Sequence, residues 1–174
     1  MSTQQTKWFE RKFDFSAEQN IFPSIIERLR GTAARLEEKT KAVADPILNS
    51  KVNGRWSIKE NIGHLIDLEP LWMGRLDDIL NKEIYLRTAD LQNQKTDRAN
   101  HNSRAIIDLL KEFRAVRANT VKRLELLSNE EIFLNALHPR LKTPMRMMDH
   151  FLFVAEHDDH HLFTIHEILT ITNE

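Results

Sequence analysis

The chain contains no cysteine. That absence excludes a disulfide framework, a thiolate metal site and a cysteine nucleophile, so any metal must be taken by nitrogen and oxygen donors. Glycine occurs at only four positions, Gly31, Gly54, Gly63 and Gly74, and none belongs to a phosphate-cradling loop, which removes the nucleotide-binding motifs. No stretch approaches the roughly 18 apolar residues of a membrane span, and Met1 to Arg11 lacks the apolar run of a signal peptide. A cytoplasmic protein is the expectation. Charge of one sign is missing too: 25 basic and 26 acidic residues are interspersed to a net charge of −1, which offers no broad footprint to nucleic acid or an anionic membrane. Alternating strand patterns, repeats and low-complexity tracts are absent.

What is present is helical periodicity. With 174 residues, 41% of them hydrophobic, the chain can build one core, so a single domain over 1–174 is expected, with an N-terminal arm at 1–16 anchored by Trp8, Phe9, Phe13 and Phe15. Asn20 to about Val43 carries Ile25, Leu29, Ala33 and Leu36 at helical spacing, with Pro23 suited to a first turn. Gly31 inside that segment costs about 1 kcal/mol relative to Ala, so a break there is the alternative. Ser57-Ile58-Lys59-Glu60 is a capping box that opens a second helix to about Asn81, with a stripe of Ile58, Ile62, Leu65, Trp72 and Leu76. Residues 82–100 show no period and read as a long connection that caps a pocket or serves a dimer contact. A third helix spans about His101 to Leu127, and Ser128-Asn129-Glu130-Glu131 is a second capping box before His138-Pro139-Arg140. Thr143-Pro144 reads as the start of a last helix reaching about Thr170. Four long amphipathic helices predict an all-α, up-and-down four-helix bundle with its site between facing helices.

The last helix carries the chemistry. Met148, Phe151, Ala155, Leu162, Ile165 and Leu169 share one face, and His157 and His161 lie on its flank, one turn apart and close enough to hold one metal ion. His160 projects about 100° away from His161 and is excluded. A catalytic zinc site takes three protein ligands and keeps one position open. His64, which lies partly inside the apolar sector of the second helix, is the third candidate. Asp158 falls on the core stripe, where an ionised carboxylate is costly unless paired. Two roles suit it: acceptor from a ligand imidazole, or base toward metal-bound water. His157-Asp158-Asp159-His160-His161 also resembles the helical zinc-protease motif with Asp in place of Glu, one methylene shorter. No Glu-x-x-His spacing occurs, which argues against a di-iron carboxylate bundle.

Trp56-Ser57-Ile58-Lys59-Glu60, then His64-Leu65-Ile66-Asp67-Leu68-Glu69, then His138-Pro139-Arg140-Leu141, then Ala155-Glu156-His157-Asp158-Asp159-His160-His161-Leu162 resembles the DinB-like superfamily of metal-binding four-helix bundles. The resemblance runs in order from about residue 22 to 170. It implies a divalent metal, zinc or nickel, held by His64, His157 and His161 with water completing the site. It also implies one of two chemistries on a small-molecule substrate. One is thiol S-transfer, in which a low-molecular-weight thiol such as bacillithiol, mycothiol or glutathione is activated; the other is metal-dependent hydrolysis. A metal-stabilised binding or stress-response module without turnover is the third reading, and a homodimer is compatible with all of them. Trp72, Arg75 and Asp78 line the site only if the later turns of the second helix face it. Arg75 then either binds an anionic substrate group or pairs with the carboxylates around it, and pairing is the expectation.

Overall fold

A computed structural model of the chain describes residues 5–172. Four long helices run through it, α1 (Phe22–Thr40), α3 (Ile58–Leu80), α5 (Ile106–Leu124) and α6 (Met147–Thr172), with short helices α2 (Asp45–Leu48) and α4 (Gln94–Arg98) in the connections. The all-α four-helix bundle expected from periodicity is the observed fold. Helix α1 packs against α5 and α6, and α3 packs against the same two, so the order around the bundle is α1, α5, α3, α6. Successive helices α1 and α3 therefore face each other across the diagonal, as do α5 and α6, and the long connections at 41–57 and 125–146 make that crossing.

Local signals account for much of this. At the start of α3 both halves of the capping box form: the Glu60 amide donates to Ser57 Oγ at 3.1 Å and the Ser57 amide to Glu60 Oε2 at 2.9 Å. The second box forms likewise, the Ser128 amide donating to Glu131 Oε2 at 2.8 Å, but it opens only one 3-10 turn, Glu131–Phe133. Helix α1 runs unbroken through Gly31, because Leu29, Thr32, Ala33 and Leu36 are all buried and their packing outweighs the glycine's propensity cost.

Two boundaries differ from the sequence reading. The last helix begins at Met147, not at Pro144, because Pro144–Arg146 is strand β2, paired antiparallel with β1 (Asn135–Leu137) so that Ala136 lies opposite Met145. That pairing buries both Ala136 and Met145. Asp149 does the capping instead, accepting from the Arg146 amide at 3.0 Å and from its guanidinium at 2.7 Å. The third helix begins at Ile106, since Asn100 adopts a left-handed φ of 51° and His101–Ser103 forms a separate 3-10 turn. Residues 82–100 contain α4 rather than being wholly irregular.

The buried apolar side chains form two clusters. One contains Phe22, Leu29, Trp72, Leu76, Val121, Met148 and Phe151; the other contains Leu36, Ile58, Ile62, Leu65, Phe113, Leu162 and Ile165. Where α1, α3, α5 and α6 pass from one cluster to the other they carry buried polar residues: Thr32, His64, Glu69, Arg117, Thr120, His157, Asp158 and His161. The arm packs Trp8, Phe13 and Phe15 onto the first cluster as expected, whereas Phe9 stays exposed.

Candidate metal centre

His64 from α3 and His157 and His161 from α6 are buried and offer ring nitrogens that lie within 4.8 Å of one another. The ring centroids are 5.3 Å apart for His64 and His157, 4.9 Å for His64 and His161, and 4.5 Å for His157 and His161. The structure thus brings together the three candidates from sequence and leaves His160 outside, against Arg11 at 3.4 Å.

The tautomers follow from the neighbours. Asn61, one turn before His64, points its Nδ2 at the carbonyls of Trp56 (3.2 Å) and Ser57 (2.8 Å), which leaves Oδ1 as an acceptor facing His161 Nδ1 at 2.7 Å. His161 must therefore carry its proton on Nδ1 and a lone pair on Nε2. Thr96 in α4 donates its one hydroxyl proton to Asp67 Oδ2 at 2.9 Å, so it can only accept from His64 Nδ1 at 3.0 Å. His64 is held in the same state, with Nε2 free. His157 Nε2 stands 3.2 Å from His161 Nε2, a gap that one proton or one cation can bridge. It matches the ~3.3 Å separating two nitrogens on a tetrahedral zinc with bonds near 2.05 Å. This donor set fits a divalent ion that accepts imidazoles.

Burial keeps the rings neutral. It pushes His64 down to about 4, and with the repulsion of neighbouring imidazoles it holds His157 and His161 well below the usual histidine value. Asp67 is the hub behind His64, accepting also from His101 Nε2 at 2.9 Å. Burial alone would raise its pKa, but the hydrogen bonds from His101 and Thr96 outweigh that and hold it below the ordinary range. His101 reaches Asp67 only because residue 63 is glycine: a Cβ there would lie 2.2 Å from the His101 ring. Trp56 covers the centre, its ring centroid 4.7 Å from that of His64 and its Nε1 donating to Asp97 at 3.1 Å.

Asp158 faces the other way. Its carboxylate accepts from Arg117 Nη1, from Arg117 Nη2 at 3.1 Å and from Thr32 Oγ1 at 2.7 Å, and no imidazole is among its hydrogen-bond partners. A ligand-imidazole contact, one of the two roles open to Asp158 from sequence, is thus replaced by an ion pair across the core. The same pair occupies the carboxylate that the other role, base toward bound water, would need. Arg117 also donates to Glu69 Oε1 at 2.7 Å, and Thr120 donates to Glu69 Oε2. Burial would lower the guanidinium's pKa, but the charges of Asp158 and Glu69 reverse this and raise it.

The imidazoles open into a cavity of about 1050 Å³, whose wall includes Trp8, Leu68, Leu71, Trp72 and Phe153, and at its far side Arg75, His138 and Arg140. The later turns of α3 do face it, through Trp72 and Arg75. The 82–100 connection lines it through Thr88 to Leu91 and Asn93, while Ile84 and Tyr85 stay exposed. Arg75 does not pair with a carboxylate as expected: Asp78 is occupied by Arg87, through its amide at 2.8 Å and its Nη2 at 2.7 Å. Arg87 lies flat on α3 because residue 74 is glycine, where a Cβ would come 2.0 Å from the guanidinium.

Sequence reasoning missed Asn61, Thr96, Asp67 and Arg117. Asn61 carries a readable signal, since it lies three residues before His64 on the same helical face. Thr96 and Arg117 carry none, because their partners are remote in sequence.

Residues 28–165 match a family model for the DinB superfamily. YfiT from Bacillus subtilis, known as a probable metal-dependent hydrolase with an unusual four-helix bundle topology, superposes with a TM-score of 0.82 over 94% of this chain and 94% of that one, at 18% sequence identity. At that identity the likeness is one of fold. No curated protein matches the chain. Among the described residues no helix is long and apolar enough to cross a membrane.

Proposed function

The chain belongs to the DinB superfamily, and on that footing we propose that it is a metal-dependent enzyme of thiol S-transferase type, acting on a small electrophilic substrate. One observation carries the reading: acceptors on Asn61 and Thr96 impose the Nδ1–H tautomer on His161 and His64, so that Nε2 lone pairs converge beside a large cavity. Imidazoles serving the core alone would not need both rings held in that state. A divalent ion, zinc or nickel, held by His64, His157 and His161 would lower the pKa of a bound water or thiol so that the anion exists near neutral pH.

The chain's own residues do the rest. Asn61 and the Thr96–Asp67 pair orient two of the rings and raise their basicity. Trp56, Trp8 and Trp72 shield the centre from bulk water. We assign Asp158 to bracing the turn of α6 that carries His157 and His161 through its pair with Arg117. The cavity, about 1050 Å³, is slightly larger than the ~300–1,000 Å³ typical of ligand pockets and has room for a thiol and an electrophile side by side. The alternative is hydrolysis, the activity attached to the similarly folded YfiT.

Metal analysis of untagged protein followed by turnover assays decides between them. Stoichiometric zinc or nickel, with turnover of an electrophile only when a thiol is added, is the expected result. Turnover with water alone selects hydrolase. Metal retained without turnover selects the binding-module reading.

A further inference from the structure

The geometry points to a carboxylate-binding subsite formed by Arg75 and His138 at the far wall of the cavity, which makes the substrate or cosubstrate a small organic acid. The inference rests on the reading above only in taking this cavity as the substrate's.

His138 Nδ1 accepts two backbone hydrogen bonds, from the amides of Arg140 at 3.2 Å and Leu141 at 3.1 Å. The neutral ring must then carry its proton on Nε2. It is neutral at pH 7, because burial and the nearby cations of Arg75 and Arg140 push its pKa down to about 4. Facing that Nε2–H at 3.2 Å is Arg75 Nη1, which can only donate. Two donors meet head to head and neither satisfies the other. One carboxylate oxygen beside them would accept from both.

The charges nearby point the same way. Arg75 is 2% exposed, its Nε is spent on the Arg87 carbonyl at 3.1 Å, and it has no ion pair among the described residues. Asp78, the acid that acts on it, already receives Arg87 through backbone and side chain. Arg140, on the same wall, also has no ion pair among the described residues, and its guanidinium rests 5.3 Å from the Phe9 ring centre. A buried guanidinium without an anion is unfavourable, and burial accordingly drives Arg75 down to about 10. An incoming carboxylate answers both the unmatched donors and the unmatched charge, and a planar carboxylate suits the guanidinium fork.

Trp72 connects this wall to the imidazoles. The Arg75 guanidinium carbon is 5.6 Å from the Trp72 ring centre, and the His157 ring centre is 5.7 Å from it. Between them the surface is apolar, through Trp72, Leu68, Leu71 and Phe153. A ligand anchored by its carboxylate would lay an apolar body along Trp72 and present its other end to the three histidines.

Calorimetric titration of the metal-free and zinc-loaded protein with phenylacetate and its neutral counterpart phenylacetamide tests this. In both forms the acid should bind more tightly than the amide. Arg75→Gln should weaken acid binding by about 10–100-fold, the range for losing a charge-assisted hydrogen bond, and leave the amide within about twofold. His138→Asn keeps an acceptor for the two backbone amides while removing the Nε2 donor, and it should weaken the acid selectively as well. The subsite is overturned if wild type shows no preference for the acid. It is also overturned if both variants keep the preference, if they weaken acid and amide equally, or if acid binding needs zinc and ignores Arg75. A protein that takes up no zinc but still binds the acid through Arg75 would sink the metal reading and leave this one standing.

Discussion

His157 and Asp158 are adjacent, both buried, and belong to opposite kinds of polar cluster. The cluster around Asp158 is closed. One guanidinium, Arg117, lies between two carboxylates, and the hydroxyls of Thr32 and Thr120 donate to the carboxylate oxygens. The cluster around His157 is open. Asn61 and Thr96 satisfy the outer nitrogens of His161 and His64, while the inner nitrogens face one another across the gap. Burial alone does not separate a structural group from a functional one, since both clusters are equally buried. What separates them is whether donors and acceptors balance within the protein. The closed cluster also carries one more negative than positive charge, which favours a cation at the neighbouring imidazoles.

Substitutions on each side should behave differently. The largest effect is expected on the open side: His157→Ala or His161→Ala should abolish stoichiometric zinc binding in equilibrium dialysis, and His160→Ala should leave it intact. Equal loss with His160→Ala would mean that the ligand set is wrong. On the closed side Arg117→Met leaves Asp158 and Glu69 buried without a counter-charge and should cost about 3–5 kcal/mol in urea unfolding. Asp158→Asn should likewise cost about 1–3 kcal/mol of stability and keep zinc stoichiometry. If it instead weakened zinc with stability unchanged, Asp158 would belong to the metal side after all.

The next effect is smaller. Asn61→Leu removes the acceptor that sets the His161 tautomer and should weaken zinc affinity by about 10–100-fold, with Thr96→Val at the lower end of that range. Unchanged affinity in both would remove the argument from tautomers.

The last effect is absent at neutral pH. In the folded chain burial holds His64 near 4 and His150 near 3, against 6.5 when unfolded, so between these values the unfolded state binds more protons. Stability of the metal-free protein should therefore be level above pH 6.5 and fall as the pH drops from 6.5 toward 4. A midpoint of denaturation that stays constant from pH 7 to 4 would contradict the buried neutral imidazoles.

Much of the fold was legible because its signals are local. The boxes at Ser57–Glu60 and Ser128–Glu131 form as their spacing implies, since a cap involves residues three apart. Thr143-Pro144 misled, because a strand pairing with residues 135–137 claimed the segment and Asp149 took over the cap. The connection at 82–100 looked featureless, yet it supplies Thr96 to His64 and Asp97 to Trp56. No periodicity marks a residue whose partner lies 32 or 41 positions away.

By itself the sequence determined the helical class, the helix start at Ser57, the exclusion of thiolate from any metal site and the placement of His157 and His161 one turn apart. Each of these depends on composition or on covalent geometry within a few residues. Only the tertiary structure decided that His64 completes the cluster, that Asp158 meets Arg117 instead of an imidazole, that two rings are locked with Nε2 free, and that Arg75 lacks a carboxylate. These are contacts between separate elements, with His64 on α3 meeting α6 and Arg117 on α5 meeting both. They exist only once the two apolar clusters have set the helices at fixed distance and rotation, which the chain encodes through all its core residues together and through none of them singly.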